Sequence, residues 1–303
     1  MNKSQFVSNG LNQKHRSKLI HSVEKGLEQL KSYDLKPDGV FGSQAKIICG
    51  DVTINSDDLD LEFTVNFDDD MEANEAEIII YNLTKNTINQ FKKKKKISIE
   101  AGYKGDIGVV FEGFIISRKT KIEDVDKITT IKCLDDVSTK TISEKTYKAG
   151  TKASYILKEL LKKTGTPIAV FKMRRDYTYK DEVKVDGDLM ENIKTYSEVC
   201  GVSTYVKNGK IYSRHIKVGD NINLTLSEET GLIGSPEEFE EELTAEDFKE
   251  TIKGYECEML LQHRACAGAI VTLKSLYANG NFRICSGEHR FNPDECITKI
   301  KMY

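Results

Sequence analysis

Histidine and cysteine are the residues of this chain best suited to chemistry, so their spacing is the first thing to weigh. The five histidines are His15, His21, His215, His263 and His289. His263 lies three residues before Cys266, a thiol–imidazole neighbourhood. A nucleophile–base pair needs a third group to orient it, and none stands out, so polar residues at strand ends are the better reading. Cys257, Cys266, Cys285 and Cys296, with His263 and His289 nearby, carry the N and S ligands zinc prefers. Their spacings of 9, 19 and 11 residues match no common zinc template. The seven cysteines are odd in number, contain no CxxC pair and sit among apolar or β-prone neighbours, as in IKCLD and FRICSG. Free buried thiols are expected. Asp68, Asp69, Asp70 and Glu72 suggest a divalent cation, but the EF-hand spacing is absent and a solvated turn is the simpler expectation. No GxGxxG, P-loop, HExxH or GxSxG occurs. The expectation is a protein that is not an enzyme, with no cofactor and no metal.

Composition narrows the class further. The chain has 303 residues, 39% hydrophobic and 31% charged, which describes a soluble globular protein of about two domains, or one large domain with insertions. It needs neither disulfides nor metals to bury a core. No run approaches the roughly 18 apolar residues of a membrane span. The opening MNKSQFVSNGLNQKHRSK lacks a signal-peptide apolar stretch, so folding in a cytoplasm is expected. With 45 basic and 48 acidic residues the net charge is −3, which gives no support to a nucleic-acid binder. Locally the balance is uneven. Lys92 to Lys96 are consecutive, whereas EEFEEELTAEDFKE, residues 237–250, holds eight acids against one lysine.

The elements that would position these residues are legible from periodicity. RSKLIHSVEKGLEQLKS, residues 16–32, reads as an amphipathic helix with Ile20, Val23, Leu27 and Leu30 on one stripe. Within the following LEQLKSYDLKPDGVFGSQAK, the DGVFG turn resembles part of a peptidoglycan-binding repeat, although the helix that should follow is replaced by a strand. Leu59, Leu61, Phe63, Val65 and Phe67 alternate strictly, the mark of a half-buried strand. Strands recur to about residue 147, with a short helix at TKNTINQF capped by Thr84 or Asn82. GTKASYILKELLKKTG and DLMENIKTYSEVCG read as helices, and STYVKNGKIYSRHI as a hairpin about Asn208-Gly209. Strands return from about Asn223, interrupted by an acidic loop. The order β-rich, α+β, β-rich predicts a helical arm at 1–42, a first β-barrel domain at 43–147, an α+β insert at 148–218 and a second β-barrel domain at 219–303.

Taken together, residues 45–303 resemble the hub proteins of contractile phage tails and related particles, the late-control-D and spike-hub superfamily, in its Gram-positive version. CGDVTINSDDLDLEFTVNFDDDMEANEAEIIIYNLTKNTINQF is similar to that family's opening strands, and AGYKGDIGVVFEGFI to its central hairpin. AGTKASYILKELLKKTG and VDGDLMENIKTYSEVCGVSTYVKNGKIY resemble its insert. GLIGSPEEFEEE and IKGYECEMLLQHRACAGAIVTLKS resemble its second barrel. The resemblance implies a mainly β fold of two tail-tube-like antiparallel β-barrels plus the small α+β domain. It implies a homotrimeric baseplate hub that adapts a sixfold tail tube to a threefold spike or tail tip in a contractile tail. Its partners would be the tube protein, the spike or tail-tip protein and other baseplate proteins, inside a virion or phage-tail-like bacteriocin assembled in the bacterial cytoplasm. The competing reading is a tail protein that binds or hydrolyses peptidoglycan.

Against that background the lysine run is expected to be a solvated loop. The second expectation is an inter-subunit contact between Lys93, Lys94 and Lys95 and an acidic patch containing Glu238, Glu240 and Glu241. Five lysines without interleaved aromatic residues make a poor nucleic-acid reader, so neither specific nucleic-acid binding nor a membrane is expected.

Overall fold

A computed structural model describes residues 42–135, 141–207, 209–245 and 248–303. The expected helix at 16–32, most of the arm at 1–42 and all but the last glycine of DGVFG lie outside the described residues.

The backbone is mainly β. The first lobe is β1 (Ser43–Cys49), β2 (Val52–Asn55), β3 (Leu61–Asp68), β4 (Glu75–Tyr81), the short helix α1 (Lys85–Ile88), β5 (Lys96–Tyr103), β6 (Asp106–Glu123) and β7 (Asp126–Leu134). The alternation read in the sequence sets β3: Leu61, Phe63 and Val65 point into the core while Glu62, Thr64 and Asn66 point away. Thr84 caps α1 by accepting from the Thr87 amide. Asn82, the other candidate, instead adopts a left-handed φ of 57° and fastens the neighbouring turn through Lys127 and Asp126.

The middle unit comprises β8 (Thr141–Tyr147), α2 (Ala153–Thr164), β9 (Ile168–Phe171), β10 (Val183–Asp188), α3 (Leu189–Val199), β11 (Ser203–Lys207) and β12 (Lys210–Arg214). Ile156, Leu157, Leu160 and Leu161 bury one face of α2, which stops at Gly165 with φ +80°. Asp188 caps α3 by accepting from the Met190 and Glu191 amides. β8, which the sequence suggested for the first lobe, pairs with β10. Ile142 and Tyr147 of β8 close the core that α2 and α3 share, and that burial draws the strand into this unit. β11 and β12 pair with Lys207 opposite Lys210; Asn208 of the expected turn lies outside the described residues.

The second lobe is β13 (Asp220–Leu226), β14 (Leu232–Ala245), β15 (Phe248–Leu260), β16 (Ala269–Lys274), β17 (Asn279–Phe291) and β18 (Cys296–Met302). The expected acidic loop is a strand: residues 237–245 of β14 pair in unbroken register with residues 256–248 of β15. Lysines decide this. Lys253 reaches Glu238 and Glu240, Lys249 reaches Glu242, and Lys301 reaches Glu241, which offsets the repulsion that a row of glutamates would otherwise feel.

The two lobes share one hydrogen-bonded sheet. Its order runs β14-β15-β18-β17-β3-β4-β7-β6-β5-β1-β2, with β16 also on β17 and β13 on β16. The joint is β17 on β3, from Ser286 opposite Asp68 to Phe291 opposite Phe63. Three apolar cores result among the described residues. One lies under the first lobe around Ile47, Ile78 and Ile131; another lies in the middle unit around Leu157 and Ile193; the third lies under the second lobe around Val271 and Ile300.

Candidate functional site

Polar chemistry in this molecule is concentrated where the three cores meet. Arg283, on β17, is fully buried, and its guanidinium donates to Asp69 at 2.5 Å, to the Ile216 carbonyl at 3.1 Å and to Ser203 Oγ at 3.1 Å. Asp69 comes from the β3–β4 loop of the first lobe and Ser203 from β11 of the middle unit. One cation therefore bolts all three units together, and it also lies 5.2 Å over the Tyr205 ring. Arg214 lies on the same ring, donates to its hydroxyl and forms a two-pronged pair with Asp220 at 2.9 and 3.0 Å.

The acidic turn after β3 is thus a latch, not the solvated turn expected from its sequence. Asp70 and Glu72 both lie against Lys194 of α3, at 3.6 and 3.4 Å. Desolvation, followed by the Asp70 and Asp69 carboxylates, holds the Asp68 carboxyl above its usual range.

A second clamp joins the lobes at the β5–β6 hairpin. Asp106 accepts from His263 Nε2 at 2.9 Å and from Arg264 at 3.2 Å, and the Tyr103 hydroxyl donates to the Cys296 carbonyl at 2.7 Å. Desolvation of Asp106 is outweighed by the His263 hydrogen bond and the Arg264 charge, leaving its carboxyl below the ordinary range. Gly108 leaves room for this clamp, because a methyl group there would overlap the His263 ring and displace it from its present position. His263 is therefore engaged by a structural carboxylate. Cys266, the thiol considered beside it, is raised by burial away from the thiolate.

The other candidate ligands are dispersed. Cys257 packs in the second-lobe core and Cys296 in the first, and among the described residues no three His, Cys, Asp or Glu side chains converge as a metal site. Burial lifts the thiols of Cys133, Cys200, Cys257 and Cys285 to about 12. His289 is 2% exposed, lies tilted against the Phe67 ring at 4.9 Å, shares a 2.8 Å hydrogen bond with Thr298, and is depressed to about 4 by burial, so it is neutral. A hollow of about 700 Å³ crosses β3, β17, β18, β15 and β14, and its charges pair across strands, as Glu258 does with Lys299 at 3.1 Å. Among the described residues no helix is long and apolar enough to cross a membrane.

The charged surfaces singled out in the sequence lie on different parts of the molecule. Lys92, Lys93 and Lys94 are exposed on the connection from α1 to β5, Lys94 with φ 68°, and have no carboxylate partner among the described residues. Lys95 folds back to the Gln90 carbonyl at 3.3 Å and Lys96 to Glu112 at 3.4 Å. Lys92 and Lys93 line a hollow of about 690 Å³ with Phe91, Ile116 and Arg118. Two carbonyls, Ile88 and Phe91, hold the Arg118 guanidinium in place. Glu238 and Glu240 share the solvent face of β14, whereas Glu241 points to the opposite face, against Lys301 and the Tyr303 hydroxyl. The three glutamates therefore do not share one surface. The Arg283 joint escaped the sequence reading because an arginine inside a strand carries no local mark of burial; only FRICSG, with its apolar neighbours, hinted at it.

A family model described as the Alg8 N-terminal domain matches residues 74–283. No curated protein matches the sequence. Solved structures share the fold at low identity. A 43 kDa tail protein of prophage MuSo2 from Shewanella oneidensis aligns with TM-score 0.59 and 8% identity, over 86% of this chain and 96% of its own. A tail protein from Neisseria meningitidis MC58 gives 0.57 and 9%, over 86% and 96%. An Escherichia coli component of the type VI secretion system, described as structurally similar to the phage T4 tail proteins gp27 and gp5, gives 0.57 and 10%, over 85% and 76%.

Proposed function

The chain belongs to the Alg8 N-terminal domain family, and from that premise we propose that it is a structural baseplate hub of a contractile tail. Three copies form a ring that adapts a sixfold tail tube to a threefold spike or tail tip. The observation that carries this reading is the doubled architecture: two lobes of one sheet, each wrapped on its own core, with the α+β unit between them in the chain. Each lobe stands in for one tail-tube-like barrel, so three chains supply six barrels to the tube and a threefold axis to the spike. The fold shared with tail proteins supports the same role. The charged and aromatic groups at the unit junctions are spent on rigidity, as an adaptor under axial load requires. The partners are the tube protein, the spike or tip protein and other baseplate proteins, in a virion or a phage-tail-like particle.

Light scattering coupled to size exclusion over a wide concentration range tests the ring. The expected mass is three times 34.3 kDa, about 103 kDa. A species of any other stoichiometry at the highest concentrations overturns it.

A further inference from the structure

Among the described residues the branched sheet ends at three strands, β14, β2 and β13, and the first two differ in chemistry. β14 is paired only with β15 among the described residues, which leaves its other edge without a strand partner along residues 237–245, past the irregularity at Ile233–Glu237 that Pro236 accompanies; α3 and β11 border it only at the 241–244 end. An open edge of that length is a template for another strand or surface unless something covers it. Five glutamates line β14: Glu237, Glu238, Glu240, Glu241 and Glu242. Two such edges brought together would juxtapose like charges, so a twofold self-pairing of β14 is disfavoured. What fits is a basic surface, and the same molecule carries one near its β2 end. β1 and β2 turn at Gly50 directly against Lys95, and beside them lies the hollow with an apolar floor of Phe91 and Ile116 under Lys92, Lys93 and Arg118.

We infer that β14 is an inter-subunit seam: the open acidic edge of one copy, led by Glu238, Glu240 and Glu242, seats against the Lys92–Lys93–Arg118 hollow of the next copy. The contact is heterologous, joining different surfaces on the two copies, so its repetition closes into a ring or runs on as a filament. This deepens the hub reading and rests on it for closure at three copies. The glutamates of β14 are not free in the isolated chain, since Lys249 and Lys253 already neutralise part of them. The seam therefore adds cations to a partly compensated edge, and its strength is governed by ionic strength.

The test is reversal and swap in the full chain: Lys93→Glu, Glu240→Lys, and the two combined, followed by light scattering across concentration and salt, with circular dichroism to verify folding. Association of the wild type is expected to weaken as salt rises. Each single reversal is expected to raise the dissociation constant about tenfold or more, and the swap to restore much of it. A trimer indifferent to both reversals and to salt overturns the seam and leaves the ring standing. Reversal-sensitive, swap-restored association into dimers or open chains keeps the seam and overturns the ring. A wild type that stays monomeric at every concentration overturns both.

Discussion

Arg283 is a cation sealed away from water, and its position makes the fold unforgiving at one point. Its Nε has no partner among the described residues, while Nη1 donates to Asp69 and the Ile216 carbonyl and Nη2 to Ser203. Replacing it with methionine keeps much of the volume but strands Asp69 beside an apolar group. We expect Arg283→Met to lose on the order of 3–5 kcal/mol, read as a lower urea midpoint, with the middle unit becoming protease-sensitive first. A change below about 1 kcal/mol would show that the joint is not structural. His289 gives a second, pH-dependent expectation. Its folded pKa of about 4 lies below the unfolded value of 6.5, so the unfolded chain takes up a proton that the folded chain refuses. Stability should be flat from this group above about pH 6.5 and should fall between 6.5 and 4, by roughly 3 kcal/mol at most. Asp68, whose carboxyl is raised, opposes this trend as pH falls, so the comparison to make is against His289→Gln, which should lack the His289 part of the slope. The burial of neither residue was legible in the sequence, because it depends on partners from other units: Arg283 meets Asp69, 214 positions away, and Ser203, 80 away, and His289 lies against the Phe67 ring.

At the scale of elements, the apolar alternation of β3 and the helical faces of α2 and α3 were legible because period alone determines which side faces a core. β14 was not. Its glutamates suppress the strand signal, and only the alternation of Phe239 and Leu243 between them, with lysines on β15 and β18 to receive the charge, makes it a strand. Another device recurs, once at the joint between lobes and once within the second lobe, where a glycine faces an aromatic ring across the ladder. Phe67 lies over Gly287 between β3 and β17, and Phe239 over Gly254 between β14 and β15. A methyl group at Gly287 would collide with both the Phe67 ring and the Lys299 carbonyl. Gly287→Ala is therefore expected to cost about 1–3 kcal/mol, measured by chemical denaturation. The same substitution at Gly150, where nothing lies within 4 Å, removes no packing and is limited to the strain of its φ of +88°; equal losses at the two sites would count against the ring-over-glycine account.

For the whole molecule, the sequence showed the order of β-rich, mixed and β-rich regions and the place of the lysine run, since each depends on local pattern. It could not show that the lobes share a single sheet. That sharing depends on β17 finding β3, and the pairs it makes, Ser286 with Asp68 and Phe291 with Phe63, join residues more than 200 positions apart. The clamp from Tyr103 to Cys296 spans 193 positions. At translation rates of roughly 5–20 residues per second, β3 leaves the ribosome on the order of ten to forty seconds before the strand that will cover its edge exists. Throughout that interval the nascent first lobe carries an open strand edge backed by Leu61, Phe63 and Val65. A cell making many copies at once must keep those edges from finding each other before β17 arrives, so the yield of this protein is expected to depend on the pace of its own synthesis as well as on the stability of the finished fold.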